Sequence, residues 1–182
     1  MSDTASIYIH LPFCQQRCAY CDFYSDTQLL LIPDYIQCLV REIDLRASGS
    51  CRSIDSLYLG GGTPSLLRAE DIEILIQAVG RQFCLSSDAE ITLEVNPGTI
   101  RPGYLADVRT AGVNRLSIGV QSFVPEKLRF LGRMHTVDDS CQTIDAAIWA
   151  GFSHFSLDLI YGVPEENDAA WQADLSVALA IK

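Results

Sequence analysis

The sequence predicts an α/β fold, a partial TIM-like barrel of parallel strands with a helix after each. Three observations lead there. Short strand-like runs alternate with helical patterns along nearly the whole chain, each strand has one apolar and one small or polar face, and the chemically unusual residues fall just after the strands. A βαβα rhythm implies parallel strands joined by right-handed crossovers. A parallel sheet covered by helices on both sides would read as continuous apolar runs. Alternation leaves one face to line a cavity, as a curved wall does, and such barrels carry their chemistry at the C-terminal strand ends. An open sheet with one solvated face is the competing arrangement.

The strands are expected at 6–11 (SIYIHL), 56–60 (SLYLG), 90–95 (EITLEV), 115–121 (RLSIGVQ) and 154–160 (HFSLDLI). Side chains on a strand alternate between faces. Ile7, Ile9 and Leu11 thus oppose Tyr8 and His10, and Leu57 and Leu59 oppose Tyr58 and Gly60. Ile91, Leu93 and Val95 oppose Thr92, Glu94 and Asn96; Leu116, Ile118 and Val120 oppose Ser117, Gly119 and Gln121; Phe155, Leu157 and Leu159 oppose Ser156 and Asp158. Helices are expected over roughly 33–47, 68–80, 101–111, 137–150 and 168–181. Pro33, Pro102 and Pro125 sit near the starts of helical segments, where a missing N–H costs little. Gly80, Gly112 and Gly151 follow helical patterns, as C-cap glycines do. No linker or low-complexity stretch divides the chain, which reads as one domain over 1–182.

At 182 residues and 48% hydrophobic, the chain can bury a sizeable core. A net charge of −10 without a Lys/Arg cluster argues against nucleic acid as a partner. The longest apolar run is too short for a membrane span, and the N-terminus lacks the pattern of a secretory signal. Seven cysteines, an odd number, argue with the missing signal for a reducing, cytoplasmic setting. Cys38, Cys51, Cys84 and Cys141 are scattered, and the expectation for them is burial as small hydrophobes.

Cys14, Cys18 and Cys21 are different: three thiols in eight positions, just after the first strand and beside Pro12. Clustered thiols in a reducing compartment favour metal. Zinc would want four ligands, with His10 or Asp22 as candidates for the fourth. A cubane iron–sulfur cluster has four irons, usually with one cysteine each; three local thiols would leave one iron open. GGGTPS (60–65) supplies close backbone approach after the second strand but lacks the Lys-Ser/Thr of a phosphate loop. Glu94 and Asp158 are inner-face carboxylates that need partners, with Arg133 of LGRMHT as one candidate. His10 reads as a satisfied core histidine, His135 as within reach of the site, and none of the three histidines is assigned as a heme ligand.

The CxxxCxxC spacing with AYC inside it, followed by GGGTPS and GVQSF, resembles the radical S-adenosylmethionine superfamily. Within it the sequence is similar to the oxygen-independent coproporphyrinogen III oxidases and the related HemW-type heme chaperones. The resemblance implies that Cys14, Cys18 and Cys21 hold a 4Fe-4S cluster whose open iron chelates S-adenosylmethionine. An electron from such a cluster cleaves the sulfonium to give a 5′-deoxyadenosyl radical. It implies cofactor contacts from Tyr8, Tyr20, Gly61, Gly62, Thr63, Glu94, Gln121, Arg133 and Asp158. The oxidases carry a further cysteine two positions after the third; here Phe23 stands in that place, which turns the resemblance toward the heme chaperones. Heme as cargo, heme-accepting respiratory proteins and an electron donor such as a flavodoxin are the partners so implied. Decarboxylation in porphyrin biosynthesis is the alternative, and a radical enzyme on another substrate a third. The family's core has six βα units and a C-terminal region, so five units here imply an end before the last unit.

Overall fold

A computed structural model describes residues 4–47 and 53–181. Five strands form one parallel sheet: β1 (Thr4–Leu11), β2 (Ser53–Gly61), β3 (Cys84–Val95), β4 (Arg115–Gln121) and β5 (Phe155–Leu159), in that spatial order. Helices α1 (Ile32–Arg46), α2 (Ala69–Gln82), α3 (Tyr104–Thr110), α4 (Pro125–Phe130), α5 (Val137–Trp149) and α6 (Asp168–Ala180) fill the crossovers and follow β5. Strand order that never reverses, with crossovers of one hand, puts the covering helices on one face. The other face stays open, as the alternation predicts.

That covered face is the core. Leu11, Leu57, Leu59, Leu93, Leu116, Ile118 and Val120 are completely buried beneath Ile72, Leu75, Val79 and Val108. Each contributes roughly 1.5–3 kcal/mol on leaving water. The edge strand is less covered: Phe155, Leu157 and Leu159 are half-buried.

Several elements depart from expectation. β3 begins six residues earlier than expected, since Cys84 and Leu85 pair with Ser53 and Ile54. α4 is a short helix opened by Pro125, a helical start expected at that proline but given no range. α3 starts at Tyr104 because Gly103 before it is left-handed, with φ +82°. Gly80 lies inside α2 instead of capping it, whereas Gly112 and Gly151 take the left-handed conformation expected of C-caps. Cys38, Cys84 and Cys141 are exposed, which overturns their expected burial. α1 buries Ile36 and Ile43, and Cys38, two residues past Ile36, falls on another face of that helix. Cys51 lies outside the described residues.

Candidate functional site

The thiol loop follows β1 and is laced to the end of β2. Cys14 N–H donates to the Asp26 carbonyl (2.8 Å) and Asp26 N–H to that of Pro12 (2.7 Å), closing the loop at its base. Gly62 N–H donates to the Leu11 carbonyl (2.9 Å) and Thr63 N–H to that of Phe13 (2.7 Å). This is why the glycines are needed. A Cβ on Gly62 would come within 2.7 Å of the Pro12 and Phe13 backbone, and one on Gly61, at φ +124°, would meet the His10 ring at 2.7 Å. The run brings strand end and thiol loop together, so part of its close approach serves the protein itself.

Thr63 Oγ1 donates to Cys14 Sγ (3.5 Å), and Arg133 Nη1 lies 3.6 Å from Cys18 Sγ and 3.2 Å from Tyr20 Oη. Burial pushes the Cys14 thiol up; the Thr63 hydroxyl opposes this, Cys21 and Cys18 add to it, and Arg133 opposes it. The three thiols are thus close enough to feel one another. Among the described residues, no three His, Cys, Asp or Glu side chains are gathered to hold a single metal ion. A zinc ion would draw its ligands round one centre, whereas a cubane takes its thiolates at separate iron corners. Three soft donors beside a cation suit the cubane better.

Next to the loop, a cavity of about 280 Å³ opens on the inner face of the sheet. Tyr20, Cys21, Gly61, Gly62, Thr63, Glu94, Gln121, Arg133 and Asp158 line it, with Phe23 at its rim, 73% exposed. Eight of the nine residues expected to contact a cofactor therefore meet there. Tyr8 does not line it; its ring stacks on that of Tyr58 at 6.0 Å and its hydroxyl is 3.0 Å from His10 Nδ1. Cys18 and Arg133 also line a second cavity, with Asn96 and His135.

The expected pairing of Arg133 with the inner carboxylates is not found. Glu94 accepts from Tyr58 Oη (3.0 Å) and Gly61 N–H (2.9 Å), and Asp158 accepts from Ser117 Oγ (2.9 and 3.1 Å). Arg133 instead donates to Asn96 Oδ1 and to the Gly119 carbonyl, and its Nε is buried without a protein partner. An unmet buried donor costs about 1–3 kcal/mol, a cost that an anionic ligand would remove. Burial, then the charge of Glu94, pushes Tyr58 to about 12, so it stays a donor. Burial pushes the Asp158 carboxyl up while Ser117 and Arg115 pull it down, although the residue as a whole stays open to solvent.

Helix α5 places the Arg133 loop. Thr136 and Asp139 form a capping box, with Asp139 N–H donating to Thr136 Oγ1 (3.1 Å) and Thr136 N–H to Asp139 Oδ2 (2.8 Å). His135, buried, donates from Nε2 to the Val120 carbonyl (3.0 Å) and turns Nδ1 toward Arg133 Nη2 (3.5 Å). Burial and then the Arg133 charge hold it below the ordinary histidine value. From the ordinary value of about 6.5 down to that lowered one, the unfolded chain binds a proton that the folded chain refuses. Stability is then full above this window and lost as pH falls through it. The melting temperature should fall as pH drops below the ordinary histidine value of about 6.5, and His135→Gln should flatten that fall. An equal slope in the variant would refute the assignment.

A model of the Radical SAM superfamily matches residues 8–178. The chain belongs to the radical SAM superfamily. The heme chaperone HemW of Escherichia coli is 41% identical over 179 residues, which are 97% of this chain and 47% of that protein. The mitochondrial radical S-adenosyl methionine domain-containing protein 1 of Bos taurus is 38% identical over 182 residues, 96% of this chain and 40% of that one. The structure of coproporphyrinogen III oxidase, HemN, from Escherichia coli superposes with a TM-score of 0.88 at 32% identity, over 97% of this chain and 42% of that chain. The chain spans about half the length of the curated relatives it matches. The sheet is thus the TIM-like barrel wall of a radical SAM fold, its open face turned to the barrel interior. Among the described residues no helix is long and apolar enough to cross a membrane.

Sequence reasoning missed the residues that hold this cavity in shape. Tyr58 and Ser117 were legible as inner-face residues but not as partners of Glu94 and Asp158. Asn96, the partner of Arg133, closes the EVN run at the end of β3.

Proposed function

We propose that this chain is the cluster- and cofactor-binding part of a HemW-type heme chaperone. Cys14, Cys18 and Cys21 hold a 4Fe-4S cluster, and Tyr8, Tyr20, Gly61, Gly62, Thr63, Glu94, Gln121, Arg133 and Asp158 bind S-adenosylmethionine. Such a cluster, when bound, supplies a low-potential electron and one open iron. The protein's part is to bind and orient. The orphan Nε of Arg133 offers a donor to a carboxylate, Glu94 and Asp158 offer acceptors to an ammonium or to ribose hydroxyls, and the inner-face backbone at Gly61 leaves room for close approach. Heme is the cargo, passed to respiratory proteins from the cytoplasm, and a flavodoxin-like donor reduces the cluster.

The observation that carries the reading is Phe23 at the rim of the cavity, where the oxidases of this family have a further thiol. The likeness to HemN supports oxidative decarboxylation as the second reading. The test is anaerobic reconstitution of the protein with iron and sulfide. S-adenosylmethionine should perturb the EPR spectrum of the reduced cluster, and Arg133→Ala should weaken its binding by about 1–3 kcal/mol, one charged hydrogen bond. In the full-length protein that carries this chain, heme should bind, seen by absorbance, and coproporphyrinogen III should not be decarboxylated. Robust decarboxylation would overturn the chaperone reading; a spectrum unmoved at saturating ligand would overturn the inner-face assignment.

A further inference from the structure

Gln121 ends β4 with φ +66°, in the left-handed region that residues with a branched or long side chain seldom enter. Such a backbone persists only where its surroundings over-determine it. The turn it makes is held from both sides. Its carbonyl accepts from Ile160 N–H (2.9 Å), and the next residue, Ser122, donates N–H to the Val120 carbonyl (2.8 Å). The rest of the restraint comes from the helical layer. Asp174 of α6, completely buried, accepts from Ser122 Oγ with both carboxylate oxygens (2.9 Å each) and from Phe123 N–H (2.6 Å). Ser122 Oγ in turn accepts from Val124 N–H (2.9 Å). Lys127 Nζ sits 3.1 Å from Asp174 and also binds Glu166, while the Trp171 ring lies 5.4 Å from it. The outcome shows at the cavity floor. Gln121 Nε2 lies over Gly119, 2.8 Å from where a Cβ on that glycine would stand, with Arg133 Nη2 beside it.

We infer that Asp174 is a positioning residue: through Ser122 and the Phe123 amide it holds Gln121 in its left-handed turn and so aims the Gln121 amide into the cavity. The inference rests on the reading of that cavity as the S-adenosylmethionine site, and it adds to the site a residue from the far side of the sheet. Asp174 touches no part of the cavity lining except through this turn. A carboxylate is suited to the task, since its two oxygens share the Ser122 hydroxyl proton and accept the Phe123 N–H while Lys127 balances its charge.

The test is a double-mutant cycle on S-adenosylmethionine affinity, measured by calorimetry on anaerobically reconstituted protein well below its melting temperature. Gln121→Ala should weaken binding roughly 2- to 10-fold, the loss of one hydrogen bond. Asp174→Asn should weaken it by a similar factor, and the double variant should bind no worse than Gln121→Ala alone. Ser122→Ala cuts the same link with less burial of charge and should behave like Asp174→Asn if that variant folds poorly. Glu166→Gln loosens the same Lys127 network without touching the turn; it should lower the melting temperature and leave affinity unchanged. Unchanged affinity in both Asp174→Asn and Ser122→Ala, additive losses in the double variant, or an equal loss in Glu166→Gln would each overturn the inference. If Gln121→Ala itself binds normally, the reading of Gln121 as a cofactor contact fails, and the positioning role falls with it.

Discussion

Alanine at Cys14, Cys18 or Cys21 is expected to leave the anaerobically reconstituted protein colourless, with iron falling from about four per chain, the cubane stoichiometry, to near zero. The size of the effect follows from the loop. Three thiols share one short segment, and a cubane takes one thiolate at each of its protein-held irons. Cys38→Ala and Cys141→Ala should keep full iron content, because both side chains are exposed on helices and neither belongs to the thiol loop. Iron and acid-labile sulfide analysis decides the matter. Tight zinc binding without iron uptake would sink the cluster assignment, and so would full iron content in any of the three variants.

Lys127→Met is expected to cost about 3–5 kcal/mol of stability, as removal of one member of a buried charge group does. Lys127 and Glu166 have side chains only 5% and 6% exposed, and Asp174 is fully buried. The lysine therefore stands between two carboxylates that have little water to fall back on. Its hydrogen bond is also the main reason that the Glu166 carboxyl lies below the usual carboxylate range. For a chain of this size the loss corresponds to roughly 6–20 °C in melting temperature. Arg46→Ala, which removes an exposed pair with Glu42, should change stability by less than about 1 kcal/mol and serves as the contrast. A denaturant titration in which Lys127→Met loses no more than Arg46→Ala would show that the network contributes little.

Much of this was legible because the decisive signals are local. A period of two tells the two faces of a strand apart over a few residues, so the apolar set of β1 to β4 and the polar set facing the cavity could be named from sequence. The thiol spacing and the three glycines are likewise confined to short segments. What could not be read depends on contacts made far along the chain. Arg133 bonds to Asn96, 37 positions away, and leaves Glu94 and Asp158 to Tyr58 and Ser117; nothing local ranks those choices. Lys127 meets Glu166 and Asp174 across 39 and 47 positions, and in isolation each looks like an ordinary surface charge. The scattered cysteines failed for a different reason. Residue-type averages favour burial, but which face of α1 or α5 a position occupies is settled by the helix, and Cys38 and Cys141 face outward.

The clamp on Gln121 also has a place in time. A chain leaves the ribosome N-terminus first, at about 5–20 residues per second. Strands β1, β2 and β3 pair with their sequence neighbours, so the thiol loop and the glycine run can meet as soon as the second strand is made. Ser122 must wait for Asp174, 52 residues later, a delay of roughly 3–10 s. During synthesis the thiol side of the cavity is thus the older part, and the wall carrying Gln121 receives its final shape only after Asp174 has been made.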